Sequence, residues 1–228
     1  MKKKTIAFCM RDMQMGGAEA VLKRILDALV KDNNFKIVLF TYTNISEPVY
    51  ADWIKQNKNI KHIVLYPLFG TNLPHFFLFR LFVHAIRDVY RFIKYTAFNR
   101  NRFKDIDAVV DFYDCDFLKE LKKVNLPKIA WWHSSMTKFK CGNYINKLDY
   151  YDKFVVLTDE AKSELDKLLN NKIVNIYNPI DIKDIQNKAK DISKIDLPNK
   201  YFCSVARMSQ DKDIITILNA FNKFWLDN

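Results

Sequence analysis

Glycine is scarce in this sequence, four residues in 228, and no Gly-x-Gly-x-x-Gly follows the first apolar run. With no acid ending the second run to bind a ribose, a Rossmann oxidoreductase is disfavoured. Cysteine is equally sparse: Cys9, Cys115, Cys141 and Cys203 stand far apart, and none forms the C-x-x-C pair of a zinc or redox site. Two of them lie in apolar strand-like runs, where a buried, reduced thiol is expected, so a reducing cytoplasm is the expected compartment. No stretch approaches the ~18 to 20 uninterrupted apolar residues of a membrane span. Met1-Lys2-Lys3-Lys4 imitates the start of a signal peptide, but the apolar run behind it ends at Arg11, too short for an h-region.

Acidic residues are outnumbered by basic ones, 26 against 37, which leaves a formal charge of +11. Such an excess suits an anionic partner: nucleic acid, an acidic membrane surface or a phosphorylated substrate. No recognised nucleic-acid-binding motif is present, and the basic residues concentrate on one aromatic-rich stretch. Nucleic acid is therefore not an expected partner.

What is present begins with a short apolar strand, Thr5 to Met10, that runs into Gly16-Gly17-Ala18-Glu19 and then a helix. Glycine has no Cβ, so the backbone there has access to positive φ and a ligand can come close to the main chain. The free N–H groups and positive dipole end of the following helix suit phosphate or another anion. A Gly-Gly pair is also an ordinary way to make a tight turn. In the helix, Ala18, Val21, Leu22, Ile25, Leu26 and Leu29 share one side, opposite Lys23, Arg24, Asp27 and Lys31. That spacing predicts one buried face.

Apolar runs at 35–42, 60–66, 108–113, 129–133, 154–158 and 173–177 predict further strands, with helices starting near Pro48 and Glu160. Strands that alternate with helices and read as near-continuous apolar runs predict a doubly wound, Rossmann-like parallel sheet. Pro179 cannot donate to a ladder and marks its end. Residues 181–200 are polar and rich in Lys and Asp, and read as a short helix followed by a linker. A further strand, Tyr201 to Arg207, and a helix, Ile214 to Phe224, read as the opening of a second, incomplete Rossmann-like domain.

Residues 75–104 stand apart in composition, with nine aromatics and seven Lys or Arg against the single acid Asp88. Arg80, His84, Arg87, Arg91 and Lys94 fall on one helical stripe. Such a helix either covers the sheet with its basic face solvated, or lies against anionic lipid headgroups. In the second case Arg80, Arg87, Arg91 and Lys94 face the membrane or an acceptor held there.

The order of the local patterns is more specific than any one of them. Gly16-Gly17-Ala18-Glu19, Trp131-Trp132-His133-Ser134, Val155-Val156-Leu157-Thr158-Asp159-Glu160-Ala161-Lys162, Ile176-Tyr177-Asn178-Pro179-Ile180-Asp181 and Ser204-Val205-Ala206-Arg207-Met208-Ser209-Gln210-Asp211-Lys212-Asp213 occur in that sequence. Together they resemble the retaining nucleotide-sugar glycosyltransferases of the GT-B fold, family 4. The finer resemblance is to bacterial enzymes that build lipopolysaccharide, lipooligosaccharide or capsule.

The resemblance implies that residues 1–180 form the Rossmann-like acceptor-binding domain, and that 201–228 begin the donor-binding domain across a 181–200 linker. It implies transfer of a hexosyl or N-acetylhexosaminyl group from a UDP-sugar to a glycolipid or polysaccharide acceptor, with retention. Gly16 and Gly17 would approach the donor phosphates, and His133 would lie near the donor sugar as the catalytic-site histidine. Arg207 and Lys212 would hold the diphosphate, where fixed cations favour the charge that develops as the glycosidic bond breaks. The departing diphosphate would help take the acceptor proton, so no metal or other cofactor is expected and the paired carboxylates of glycosidases are not needed. A cytoplasmic enzyme, peripheral on the inner face of the membrane, is implied.

Departures accompany the likeness. Ala206-Arg207 stands where the family usually has Gly-Arg, and Asp213 where glycine is common. The two family glutamates seven residues apart are absent and would fall beyond residue 228. The expectation is a truncated enzyme with little activity alone, or else a non-catalytic acceptor- or membrane-binding module that needs a separate donor-binding chain.

Overall fold

The computed structural model describes residues 3–66, 85–86, 89, 102–168, 172–190, 200–206, 208 and 210–227. It divides into two compact units, Met1–Ile180 and Asp181–Asn228.

The first unit is built on seven strands: β1 Lys4–Met10, β2 Phe35–Thr41, β3 Ile60–Val64, β4 Ala108–Asp111, β5 Lys128–Trp131, β6 Lys153–Val156 and β7 Ile173–Asn175. They form one sheet in the order β3-β2-β1-β4-β5-β6-β7. Every neighbouring pair is parallel, with Ala7 beside Val38 on one side and Val109 on the other. The expected Rossmann-like α/β sheet is therefore present, with all seven expected strands.

The alternation of side chains explains why those strands read as continuous apolar runs. Ala7 and Cys9 join a core on one face with Val38, Phe40, Val109, Trp132 and Phe154. Phe8 and Met10 join a second core on the opposite face with Leu39, Val110, Phe112 and Trp131. A sheet covered on both faces has no polar side to alternate with.

Helix α1, Gly17–Lys31, buries Val21, Leu22 and Leu26, as its spacing predicts. Its Asp27 receives the indole N–H of Trp53 at 2.7 Å and Lys23 Nζ at 2.7 Å. Trp53 belongs to α2, Pro48–Gln56, which opens with proline where a missing N–H costs nothing. The rest of the unit is shorter: α3 Leu118–Leu121, α4 Met136–Cys141, a 3₁₀ helix Tyr144–Tyr150, and α5 Asp159–Asp166. Thr158 caps α5 by accepting the N–H of Ala161 at 3.2 Å.

The second unit contains α6 Ile182–Ala189, a 3₁₀ turn Gln210–Lys212 and α7 Ile214–Asp227. The strand expected at Tyr201–Arg207 is not formed over its described residues, 201–206. A β-strand exists only through a ladder partner, and among the described residues this segment has none. Its Phe202 instead sets its ring edge-on to Phe221 and Phe224 of α7, at 5.7 and 5.6 Å. Asp213 has φ 46, the left-handed backbone that favours glycine.

The basic stretch lies largely outside the described residues, Arg80, Arg87, Arg91 and Lys94 included. Ala85, Ile86 and Val89 are helical and exposed. Phe103, counted among its aromatics, is a core residue that packs on Phe40 at 5.1 Å. No described helix is long and apolar enough to cross a membrane.

Candidate functional site

The strand order places a switch point between β1 and β4: the chain leaves β1 toward β2 and β3, then returns to β1's other side. Beyond the carboxyl ends of strands at such a point the loops diverge and leave a crevice. Three turns meet there, after β1, β4 and β5.

After β1, Gly16 caps α1 with φ −156 and ψ 166, and as a glycine it has no side chain of its own to bond the helix end. None of the described glycines has positive φ, so the conformational freedom expected of the pair is not what this turn uses. The missing side chains matter instead. A Cβ on Gly16 would collide with the Glu19 carboxylate, whereas one on Gly17 would meet nothing within 4 Å. Gly17 thus leaves open space at the first turn of α1, whose N–H groups have no partner inside the helix, with the Glu19 carboxylate folded back beside Gly16.

After β5, His133 continues the alternation of Trp131 and so stands on the α1 face. Its ring lies nearly parallel to those of Tyr113 (6.1 Å, 15°) and Trp131 (6.3 Å, 12°), with Phe112 tilted against it at 4.7 Å. It hydrogen-bonds the Phe112 main chain, and Nε2 is covered by protein and has no partner. That places the bond on Nδ1. Burial holds the imidazole down to about 4, so it is neutral at physiological pH. A neutral ring with Nδ1 committed to the main chain carries a lone pair, not a proton, at Nε2.

After β4, the turn Asp111 to Asp116 carries the residues that sequence reasoning missed. Asp114, 2% exposed, accepts the N–H groups of His133 (2.8 Å) and Ser134 (3.2 Å) on Oδ1. Its Oδ2 accepts the Ser134 hydroxyl and Lys138 Nζ, the latter at 2.8 Å. Lys138 comes from α4, one turn after the Ser135 that caps it. Asp116 is pushed up, chiefly by burial and against the pull of Arg11, and Glu19 raises Tyr113 beside it after burial and Asp114. The first turn of α1, the β4 turn and the β5 turn thus share one electrostatic neighbourhood. Beneath them Asp111, wholly buried, accepts the Phe117 N–H at 3.0 Å and the Tyr151 hydroxyl at 2.6 Å on Oδ2, while Oδ1 has no partner. The available signal was three aspartates at the end of an apolar strand, in Val110-Asp111-Phe112-Tyr113-Asp114-Cys115-Asp116.

Of the expected residues, Gly16, Gly17 and His133 stand at the same end and face of the sheet. Lys212 ends the 3₁₀ turn of the second unit, and Arg207 lies outside the described residues. No group of three or more His, Cys, Asp or Glu among the described residues is arranged to hold a metal ion.

No protein-family model matches the chain, and no curated protein matches its sequence. Solved structures do match its fold. UGT2 of Phytolacca americana, complexed with UDP-2fluoro-glucose and pterostilbene, superposes with TM-score 0.53 over 84% of this chain and 57% of that one, at 9% identity. A sucrose-phosphate synthase structure from Thermosynechococcus elongatus is a more remote likeness, with TM-score 0.45 over 83% of this chain and 97% of that one at 16% identity. WaaG, a glycosyltransferase involved in lipopolysaccharide biosynthesis, gives 0.40 over 83% and 52% at 15% identity. The parallel α/β sheet described above matches the GT-B fold of the UGT2 structure. The chain spans little more than half the length of the UGT2 structure, 57%.

Proposed function

We propose that this chain is the acceptor-side half of a GT-B glycosyltransferase that moves a hexosyl or N-acetylhexosaminyl group from a UDP-sugar to a cell-surface glycolipid or polysaccharide, with retention. One observation carries the reading: the Gly16-Gly17 start of α1 and the neutral ring of His133 stand at the same end and face of a seven-stranded parallel sheet, beside its switch point. The first suits a diphosphate. The second offers a hydrogen-bond acceptor to a sugar hydroxyl, and its use requires displacing the cover over Nε2. Arg207 and Lys212 are assigned by resemblance to the diphosphate, Arg80, Arg87, Arg91 and Lys94 to an anionic membrane surface, and the reaction is proposed to need no metal.

Amide shifts in the NMR spectrum test this. UDP-glucose and a lipooligosaccharide-derived oligosaccharide are expected to move Gly16, Gly17, Tyr113, His133 and Ser134. Silence at all five with both ligands refutes the reading. Little or no sugar transfer is expected from the 228-residue chain alone; turnover by material free of host enzyme would refute that part.

Gly17→Ala gives a sharper test because stability and binding should part. The added Cβ meets open space, so melting should show a gain of about 0.4 to 1 kcal/mol from the less flexible unfolded chain. On this reading a methyl at the first helical residue crowds a phosphate bound there, so calorimetric titration should show UDP binding weakened severalfold. Unchanged UDP affinity would remove the glycine pair from the phosphate site.

A second reading, a non-catalytic acceptor-binding module that works with a separate donor-binding chain, is favoured by the apolar residues exposed in the second unit. Phe202 is 75% exposed, Val205 95% and Trp225 71%.

A further inference from the structure

We propose that Asp114 is the positioning residue of this site: its carboxylate locks the turn after β4 to the turn after β5 and thereby fixes where the His133 ring stands. This rests on the reading of His133 as a site residue.

Two sets of bonds join the turns. The carboxylate takes the main-chain N–H groups of His133 and Ser134 on one oxygen, and the Ser134 hydroxyl and Lys138 Nζ on the other. The Asp114 N–H itself donates to the Trp131 carbonyl at 3.1 Å. The main chain of one residue therefore attaches to the end of β5 and its side chain to the turn that follows. The backbone bends to allow it. Asp114 has φ 51 and Cys115 φ 61, two consecutive non-glycine residues in the left-handed region, an arrangement that persists only where surrounding bonds over-determine it.

An aspartate that merely neutralised Lys138 would not need that geometry. Lys138 is half exposed, with 49% of its side chain accessible against 2% for Asp114, and water would serve it well. What the geometry does fix is the ring stack. Tyr113, whose ring lies nearly parallel to the imidazole, immediately precedes Asp114, and Trp131, whose ring does the same, accepts the Asp114 N–H on its carbonyl. The imidazole carrier, His133, is the residue whose N–H makes the 2.8 Å bond to the carboxylate. All three rings are thus held through one residue, which bonds His133 at the main chain and not at its ring nitrogens; the Asp114 charge also reaches the imidazole, raising its pKa against the larger effect of burial.

The test is NMR on the full 228-residue chain, comparing wild type with Asp114→Ala, Asp114→Asn and the double variant Ser134→Ala, Lys138→Met. In Asp114→Ala, amide exchange at His133 and Ser134 should quicken about tenfold or more beyond any change at the sheet amides of Phe154 and Val110, and the His133 ring signals should move. Asp114→Asn keeps an oxygen for the two N–H groups, so slow exchange should return. The double variant leaves those N–H bonds intact and should keep His133 protected, which holds the test open even if Asp114→Ala fails to fold. Wild-type exchange and ring signals in Asp114→Ala would overturn the proposal, as would loss of His133 protection in the double variant.

None of these readouts needs a sugar. If they come out as expected while UDP-glucose and the oligosaccharide leave His133 unmoved, Asp114 still positions the ring and the glycosyltransferase reading fails instead. Oligosaccharide binding that is identical in wild type and Asp114→Ala, with ring and amides disturbed only in the variant, removes Asp114 from the site's function.

Discussion

Replacing Asp111 with Asn is expected to abolish a strong pH dependence of stability that the wild-type chain carries between pH 4 and 8. Asp111 is wholly buried, with one carboxyl oxygen bonded to the Phe117 N–H and Tyr151 hydroxyl and the other unpaired. Burial pushes its carboxyl up to about 8, the two hydrogen bonds working against that and the charges of Asp116 and Glu120 adding to it. In the unfolded chain the same group ionises near about 4. Below about 4 both states hold the proton, and stability is undiminished. Between about 4 and 8 the unfolded chain has released the proton and the folded one keeps it, so stability falls as pH rises, by about 1.4 kcal/mol per pH unit. Above 8 both are ionised and the loss is complete, on the order of several kcal/mol.

Other groups also titrate in that window. His133, held down to about 4 by burial, acts oppositely, since the folded state then binds fewer protons than the unfolded one. The difference between wild type and variant cancels such terms. Denaturant melts at pH 5, 6, 7 and 8 should therefore diverge steadily, the variant gaining on wild type at each step. Parallel curves would mean that Asp111 is ionised in the fold and that a neighbour has been misjudged.

Asp111 also illustrates what could be read before the structure. Its strand was legible, because Ala108 to Tyr113 is apolar and β-branched, and so were the other six strands of the sheet. The handover from β1 to α1 was legible from Gly16-Gly17, and the position of His133 just past β5 from the apolar run before it. The links that turn these parts into a site were not. Asp114 meets Ser134 and Lys138 across twenty and twenty-four positions, and no local pattern encodes such a pairing. Nor did composition announce the left-handed turn at Asp114 and Cys115, since neither is the glycine that usually marks one. At Tyr201 to Ala206 the error ran the other way. An apolar, aromatic run has the composition of a strand, but pairing belongs to two segments, not one.

Phe112→Ala should be the most damaging single substitution at the site, costing about 3 to 5 kcal/mol. The side chain is fully buried, packs edge-on to Phe8 at 6.3 Å and lies 4.9 Å from Trp131. Its main chain is pinned on both sides: the N–H bonds the Cys9 carbonyl at 2.9 Å, and His133 bonds the main chain of Phe112 itself. A backbone tied to β1 and to the imidazole cannot close inward, so truncation leaves a cavity, and the cost grows by roughly 24 cal/mol for each Å³ left empty. That cavity opens directly below the His133 ring, whose centroid lies 4.7 Å from that of Phe112. The imidazole keeps its main-chain bond but loses its floor, and ring contacts of this kind add about 0.5 to 1.5 kcal/mol to area burial. Phe112→Leu refills most of the volume and should recover more than half of the stability while leaving the ring signals of His133 displaced. Denaturant melts give the first quantity and the imidazole proton shifts the second. A loss under about 1.5 kcal/mol in Phe112→Ala, with His133 signals unmoved, would mean that the turns after β4 and β5 collapse freely, and that the site is not the rigid platform its hydrogen bonds describe.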